Sequence, residues 1–176
     1  MSDTAVLVLS VATLISALQN FTPIFSIFKA HKSKNLDAIS HTYLVSGFIN
    51  SSNWLIYAAK IDDWGFFKAS LPPVPMFLTY IIAYHFIKDD FRAFFTRAIL
   101  LEIAILGTLG KFASKDLMGI VMMAGTFFNY ASPLEKVQTV LAQRDTNLID
   151  TNLMFMATIN TGLWLFYGVL VDDSYM

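Results

Sequence analysis

Two short stretches hold the residues with the most chemical capacity. Asn50, Trp54 and Tyr57 stand at i, i+4 and i+7, and Asn160, Trp164 and Tyr167 repeat those types at that spacing 110 residues later. On a helix such positions form one stripe. Each stripe lies in a long apolar segment, where an amide must find hydrogen-bond partners. Two matching polar-aromatic stripes suggest a pocket of two-fold symmetry between helices. The rest of the inventory points to non-covalent binding. There is no nucleophile–base pair, Gly-rich phosphate loop or metal-ligand cluster, so no catalytic residue, metal or cofactor is expected and an enzyme is not. Cysteine is absent, which removes disulfides, thiolate metal sites and a cysteine nucleophile. His31, His41 and His85 sit near loop boundaries with no second ligand at metal spacing, and they receive no site role.

The elements that must position these stripes are membrane spans. Of the 176 residues, 56% are hydrophobic and only 14% charged, with a mean hydropathy of +0.57. Soluble domains average about 25% charged residues, so this balance describes a membrane protein whose partner is the lipid bilayer. A net charge of −1 lacks the basic footprint that nucleic acid requires. Met1-Ser2-Asp3 is acidic, and no small-residue cleavage pattern follows the first apolar run, so that run reads as a retained span. Hydrophobic runs of about 20 residues predict six spans, at 4–28, 41–59, 66–87, 94–109, 117–141 and 152–171. Pro72, Pro73 and Pro75 predict a bend or late start in the third. Glu102 is an acid inside the fourth; a structural role is favoured over proton coupling, because it lies outside the repeated units. Eight Lys and Arg residues fall on the side of the first loop and four on the other, which places that loop in the cytoplasm and the amino terminus outside.

The offset of 110 runs well beyond the stripes. Pro23 pairs with Pro133, Ile39 with Ile149, and Asp62-Asp63 with Asp172-Asp173; seven identities fall within 49–63. The chain divides into a first unit at 4–88, a linker span at 89–115 and a second unit at 116–176. One linker span leaves both units the same way up in the membrane, a parallel repeat. The fold class expected is an all-α membrane protein of two three-helix-bundle repeats. The second is expected to stop after two helices, without a seventh span.

Specific words accompany the repeat. Asn129-Tyr130-Ala131-Ser132-Pro133-Leu134, the run Asn160 to Trp164 to Tyr167-Gly168, and Thr22-Pro23 followed by Lys32-Ser33 resemble the SWEET (MtN3/saliva) family of sugar transporters over nearly the whole chain. The resemblance implies a passive uniporter for mono- or disaccharides, working by alternating access of two bundles around a central site. It implies sugar rings near Trp54 and Trp164, with Asn50 and Asn160 one turn away. It further implies lining residues at Ser16 and Gln19 and their offset partners Thr126 and Asn129. Sugar CH faces stack on indoles and sugar hydroxyls need neutral donors and acceptors, which these side chains supply.

Pro23 and Pro133 are expected as hinges, each freeing a carbonyl one turn earlier. Tyr57 and Tyr167 are expected near a gate, with interfacial anchoring as the alternative. The chain departs from the family at Ser70-Leu71-Pro72-Pro73, where a pocket asparagine is missing. It departs again at Thr42 and Asp150, where hinge prolines are missing. Two rival readings stand beside the uniporter: a proton-coupled amino-acid carrier of the PQ-loop type, although neither unit has Pro-Gln, and a non-transporting or assembly-dependent membrane subunit. An uncovered face on the second unit would make homo- or hetero-oligomers. The membrane is expected to be the plasma membrane or an endomembrane.

Overall fold

The computed structural model of the chain describes residues 2–34, 36, 39–88, 107–131, 141, 142, 144 and 151–176. Helix α1 spans Asp3–Ser33. Ser2 caps it, its Oγ accepting from the Ala5 N–H at 3.2 Å. Asp3 in the first turn and His31 and Lys32 in the last complement the helix dipole. The basic segment expected as a loop is thus the end of α1, which stops at a left-handed Lys34 with φ 54°. Helix α2 spans His41–Lys60 and is capped by Ser40, whose Oγ accepts from the Tyr43 N–H at 3.0 Å. Helix α3 spans Trp64–Ser70 and α4 spans Pro73–Lys88. The expected bend is a break at Leu71-Pro72. Pro72, Pro73 and Pro75 lack the N–H groups that would continue α3, while proline is well placed in a first turn. Helix α5 spans Lys115–Ala131 and α6 spans Thr151–Val171. Residues 107–112 are also helical; the rest of the expected fourth span, with Glu102, lies outside the described residues.

The repeat is visible in the backbone. Lys34 and Arg144, and Asp62 and Asp172, are the non-glycine residues with positive φ among those described, and both pairs are 110 apart. After α2 the Asp63 N–H donates to the Ala58 carbonyl at 3.3 Å, and after α6 the Asp173 N–H donates to the Gly168 carbonyl at 2.9 Å. This is one six-to-one helix closure made twice around a left-handed aspartate.

Packing repeats as well. α1 lies on α6 and α4, and α2 lies on α5, α4 and α3. Shifting by 110 turns α1 into α5 and α2 into α6, so the α1–α6 and α2–α5 contacts are one interface formed twice. A cluster of Ile27, Leu44, Phe48, Phe77, Tyr80 and Ile81 holds α1, α2 and α4 together. Gly47 leaves the space that the Phe77 ring fills. His41 and His85 approach with their Nε2 atoms 3.3 Å apart and tie the start of α2 to the end of α4.

Among the described residues, three helical stretches are long and apolar enough to cross a bilayer, Asp3–Ser33, Trp64–Lys88 and Met154–Val171. The sequence pattern calls for more. α2 has the length but carries Asn50, Ser51, Ser52 and Asn53 in its middle, and only 17 residues of α5 are described. Phe25, Phe28, Phe128 and Val169 are exposed and lie outside the cavity wall. A belt of this kind suits an integral membrane protein, whose outer surface meets hydrocarbon.

Candidate functional site

A cavity of about 520 Å³ opens where the two helix pairs meet. Its wall includes Ser16, Gln19, Asn50, Trp54, Thr126, Asn129, Asn160 and Trp164, the eight residues singled out from the sequence. The structure brings them together in an arrangement that the stripes alone do not disclose. Ser16 on α1 accepts a hydrogen bond from the Trp164 indole at 2.9 Å and donates to Asn160 Oδ1 at 2.7 Å, both on α6. Thr126 on α5 accepts from the Trp54 indole at 3.0 Å and donates to Asn50 Oδ1 at 2.9 Å, both on α2. Ser16 and Thr126 are themselves 110 apart. Each stripe is therefore held by a hydroxyl from the other unit, and the two sets are images of one another.

The next turn breaks this symmetry. Ser46 on α2 donates to Asn129 Oδ1 at 3.1 Å. The offset partner of Ser46 is Met156 and that of Asn129 is Gln19. A thioether cannot donate, and the buried Oε1 of Gln19 has no hydrogen-bond partner.

At the other end of the stripes the indoles converge. The Trp54 and Trp164 ring centroids are 6.1 Å apart, and Phe66 packs against each at 5.2 Å. Beyond them lie two phenol–carboxylate pairs, again crossed. Tyr57 donates to the Asp173 carboxylate at 2.7 and 2.8 Å. Tyr167 donates to Asp63 Oδ2 at 2.6 Å. Both phenols are fully buried. They do not line the cavity; they clasp one end of it, and burial with a carboxylate replaces the interfacial anchoring weighed from sequence. Asp63 also caps α3, its Oδ1 accepting from the Phe66 N–H at 2.9 Å, and Asp173 accepts from the Tyr175 N–H at 2.9 Å. Tyr175, beyond α6, donates to Asp116 at 3.1 Å. That bond, with a smaller effect of burial, raises its phenol above the ordinary value.

Pro23 is buried within an uninterrupted α1. Tyr80 donates to the Asn20 carbonyl, one turn before it, at 3.0 Å. Pro133 lies outside the described residues. Asp63 and Asp173 were missed as site residues. Their signal was in the repeat, but an acidic pair after a helix reads as a solvated loop. Ser46, Phe66 and Ser70 were also missed; Ser70 joins the wall where the family's asparagine is lacking.

Comparison with known proteins now has a geometry to meet. Residues 116–176 match a family model described as a sugar efflux transporter for intercellular exchange. The "Sugar transporter SWEET1" of Drosophila pseudoobscura pseudoobscura is 24% identical over 186 residues, covering 100% of this chain and 82% of that protein. The Arabidopsis thaliana "Bidirectional sugar transporter SWEET14" is 22% identical, covering 93% of this chain, which spans 62% of its length. The corresponding share of the rice "Bidirectional sugar transporter SWEET13" is 59%. The solved structure of a eukaryotic SWEET transporter superposes with a TM-score of 0.81 at 14% identity, over 97% of this chain and 86% of that one. In sequence words, family model, relatives and fold the chain is similar to the SWEET (MtN3/saliva) family.

Proposed function

We propose that the protein carries neutral sugars, mono- or disaccharides, passively and in both directions across the plasma membrane or an endomembrane. Names of the relatives support sugar as the solute. The observation that carries the reading is the crossed pair of Asn–hydroxyl–Trp sets around one cavity. It presents stacking faces and neutral hydrogen-bonding groups from both units to a single solute. No charged side chain occurs among the described lining residues. A neutral polyol therefore enters without facing a buried charge, and its hydroxyls exchange water for amide and hydroxyl partners. The volume lies within the range of small-ligand pockets, about 300–1,000 Å³.

Alternating access then needs one end to open while the other closes. The Tyr57–Asp173 and Tyr167–Asp63 pairs hold one end shut, each bridging the two units. On the orientation given by the basic residues this end is extracellular. Opening it separates both pairs and lets 4–88 and 116–176 rock as bodies about the cavity, joined by 89–115. Pro23 and Pro133 supply the compliance at the opposite end. Self-association belongs to the same proposal, read by crosslinking in native membranes.

Uptake of labelled glucose and sucrose into proteoliposomes tests the reading. It predicts flux down either gradient direction, unaffected by an imposed proton gradient. Vesicles no faster than protein-free ones, for both sugars, contradict it.

A further inference from the structure

Pro23 divides α1 between two neighbours. Before it, Ala5, Val8 and Leu9 pack with Tyr167, and Ser16 bonds to Asn160, so this part of the helix answers to α6. After it, Ile27 and Ala30 join Leu44, Phe48, Phe77 and Ile81 in the core of the first unit. Tyr80 is seated in that same core, 5% exposed. Its hydroxyl nevertheless reaches back past the proline and donates to the Asn20 carbonyl at 3.0 Å. We infer that Tyr80 is a positioning residue for the transport cycle. It ties the part of α1 before Pro23 to the core packed behind Pro23, and so restrains bending at that hinge. This rests on the reading of the protein as an alternating-access carrier and adds to it the residue that governs one hinge.

The restraint follows from the backbone. Proline has no N–H, so the Gln19 carbonyl loses its helical donor, and the ring crowds that carbonyl. α1 is nevertheless uninterrupted through Pro23. The next carbonyl along the chain is that of Asn20, and it is the one Tyr80 holds. Helices bend where a proline or an inserted side chain disturbs the ladder, and here both act within one turn. α4 has little freedom of its own against α2, because the Phe77 ring fills the space over Gly47. The same ring packs edge-on to Tyr80, with centroids 6.0 Å apart. The hydroxyl therefore belongs to a fixed frame, and Asn20, a residue of the cavity wall, is tied to it. Rocking that carries the α6-facing part of α1 away from this frame breaks the bond. The bond is made while both phenol–carboxylate pairs are closed. It thus favours the clasped state, and its loss favours opening of the clasped end.

The test is the rate at which an impermeant thiol reagent, added at the clasped face of proteoliposomes, labels Ser51→Cys in the cavity wall. The chain has no other cysteine to compete. Tyr80→Phe keeps the ring and its packing and removes only the hydroxyl. Loss of one such hydrogen bond is expected to make labelling roughly threefold to tenfold faster than in the Ser51→Cys parent. Pro23→Ala restores the N–H opposite the Gln19 carbonyl and stiffens α1, so adding Tyr80→Phe to it is expected to change the rate little. Pro23→Ser restores the same N–H and takes its place if Pro23→Ala is not monodisperse in detergent. An unchanged or slower rate in Tyr80→Phe overturns the inference. So does an acceleration as large without Pro23 as with it, because the hydroxyl would then act on packing and not on the hinge. Labelled sugar uptake by wild type is measured alongside. Absence of uptake overturns the carrier reading, while the labelling rates decide the role of Tyr80 by themselves.

Discussion

Ser16 and Thr126 are small residues of the cavity wall that each tie together two groups of a neighbouring helix. Each takes an indole N–H and gives its proton to an amide oxygen on the same neighbouring helix. Thr126 has a second acceptor within reach, the Met122 carbonyl at 3.1 Å. Removing either hydroxyl leaves an indole donor and an amide acceptor unpaired inside the protein, each costing about 1–3 kcal/mol if no water enters. Ser16→Ala and Thr126→Val are therefore expected to lower thermal stability in detergent and to cut sugar flux, with Ser16→Ala the more severe. Paired melting and uptake measurements check this. The phenol–carboxylate pairs give a second prediction. A hydrogen bond to a charged acceptor contributes about 1.5–3 kcal/mol, so Tyr57→Phe shifts the balance toward opening at that end by roughly tenfold or more. The chain has no native cysteine. A cysteine at the cavity residue Ser51 then reports opening as faster labelling by an impermeant thiol reagent, and an unchanged rate would refute the clasp.

At the level of elements, the two units keep one shape with different side chains. Gly65 leaves room for Leu9, and Gly119 leaves room for the Tyr175 ring. Leu9 and Gly119 are 110 apart, as are Gly65 and Tyr175. Bulk that sits on the helix in the first unit sits on the loop in the second. Gly119→Leu alone overpacks against Tyr175, at a cost of about 1–3 kcal/mol. Gly119→Leu with Tyr175→Gly reproduces the first unit's contact and should recover most of that loss; thermal melts of both variants decide. Much of this was readable beforehand. Helical spacing and the offset of 110 picked out Asn50, Trp54, Asn160 and Trp164, and the family resemblance added Ser16, Gln19, Thr126 and Asn129. The pattern could not say which helix each face meets, because a stripe records orientation and not neighbours. That Asn50 and Trp54 answer to Thr126, and Asn160 and Trp164 to Ser16, follows only from α2 lying on α5 and α1 on α6. Asp63 and Asp173 stayed hidden for the same reason. Their phenol partners stand 104 and 116 residues away, and nothing local distinguishes them from Asp62 and Asp172. The continuation of α1 through its basic turn was missed because charge reads as loop, although Lys and His favour a helix end.

For the whole molecule, the symmetry carries mechanical meaning. Every hydrogen bond of the Asn–hydroxyl–Trp sets and of the Tyr–Asp pairs runs between the two units. Rocking one unit against the other strains the two halves of the structure alike, so neither stripe is dispensable and neither dominates. This equality is the central claim, and it is most directly tested by labelled sugar uptake in proteoliposomes with Trp54→Ala and Trp164→Ala measured side by side at equal reconstituted protein. Loss of flux in both, to a similar extent and with both proteins monodisperse, is the predicted result. Wild-type flux in either variant would contradict the account.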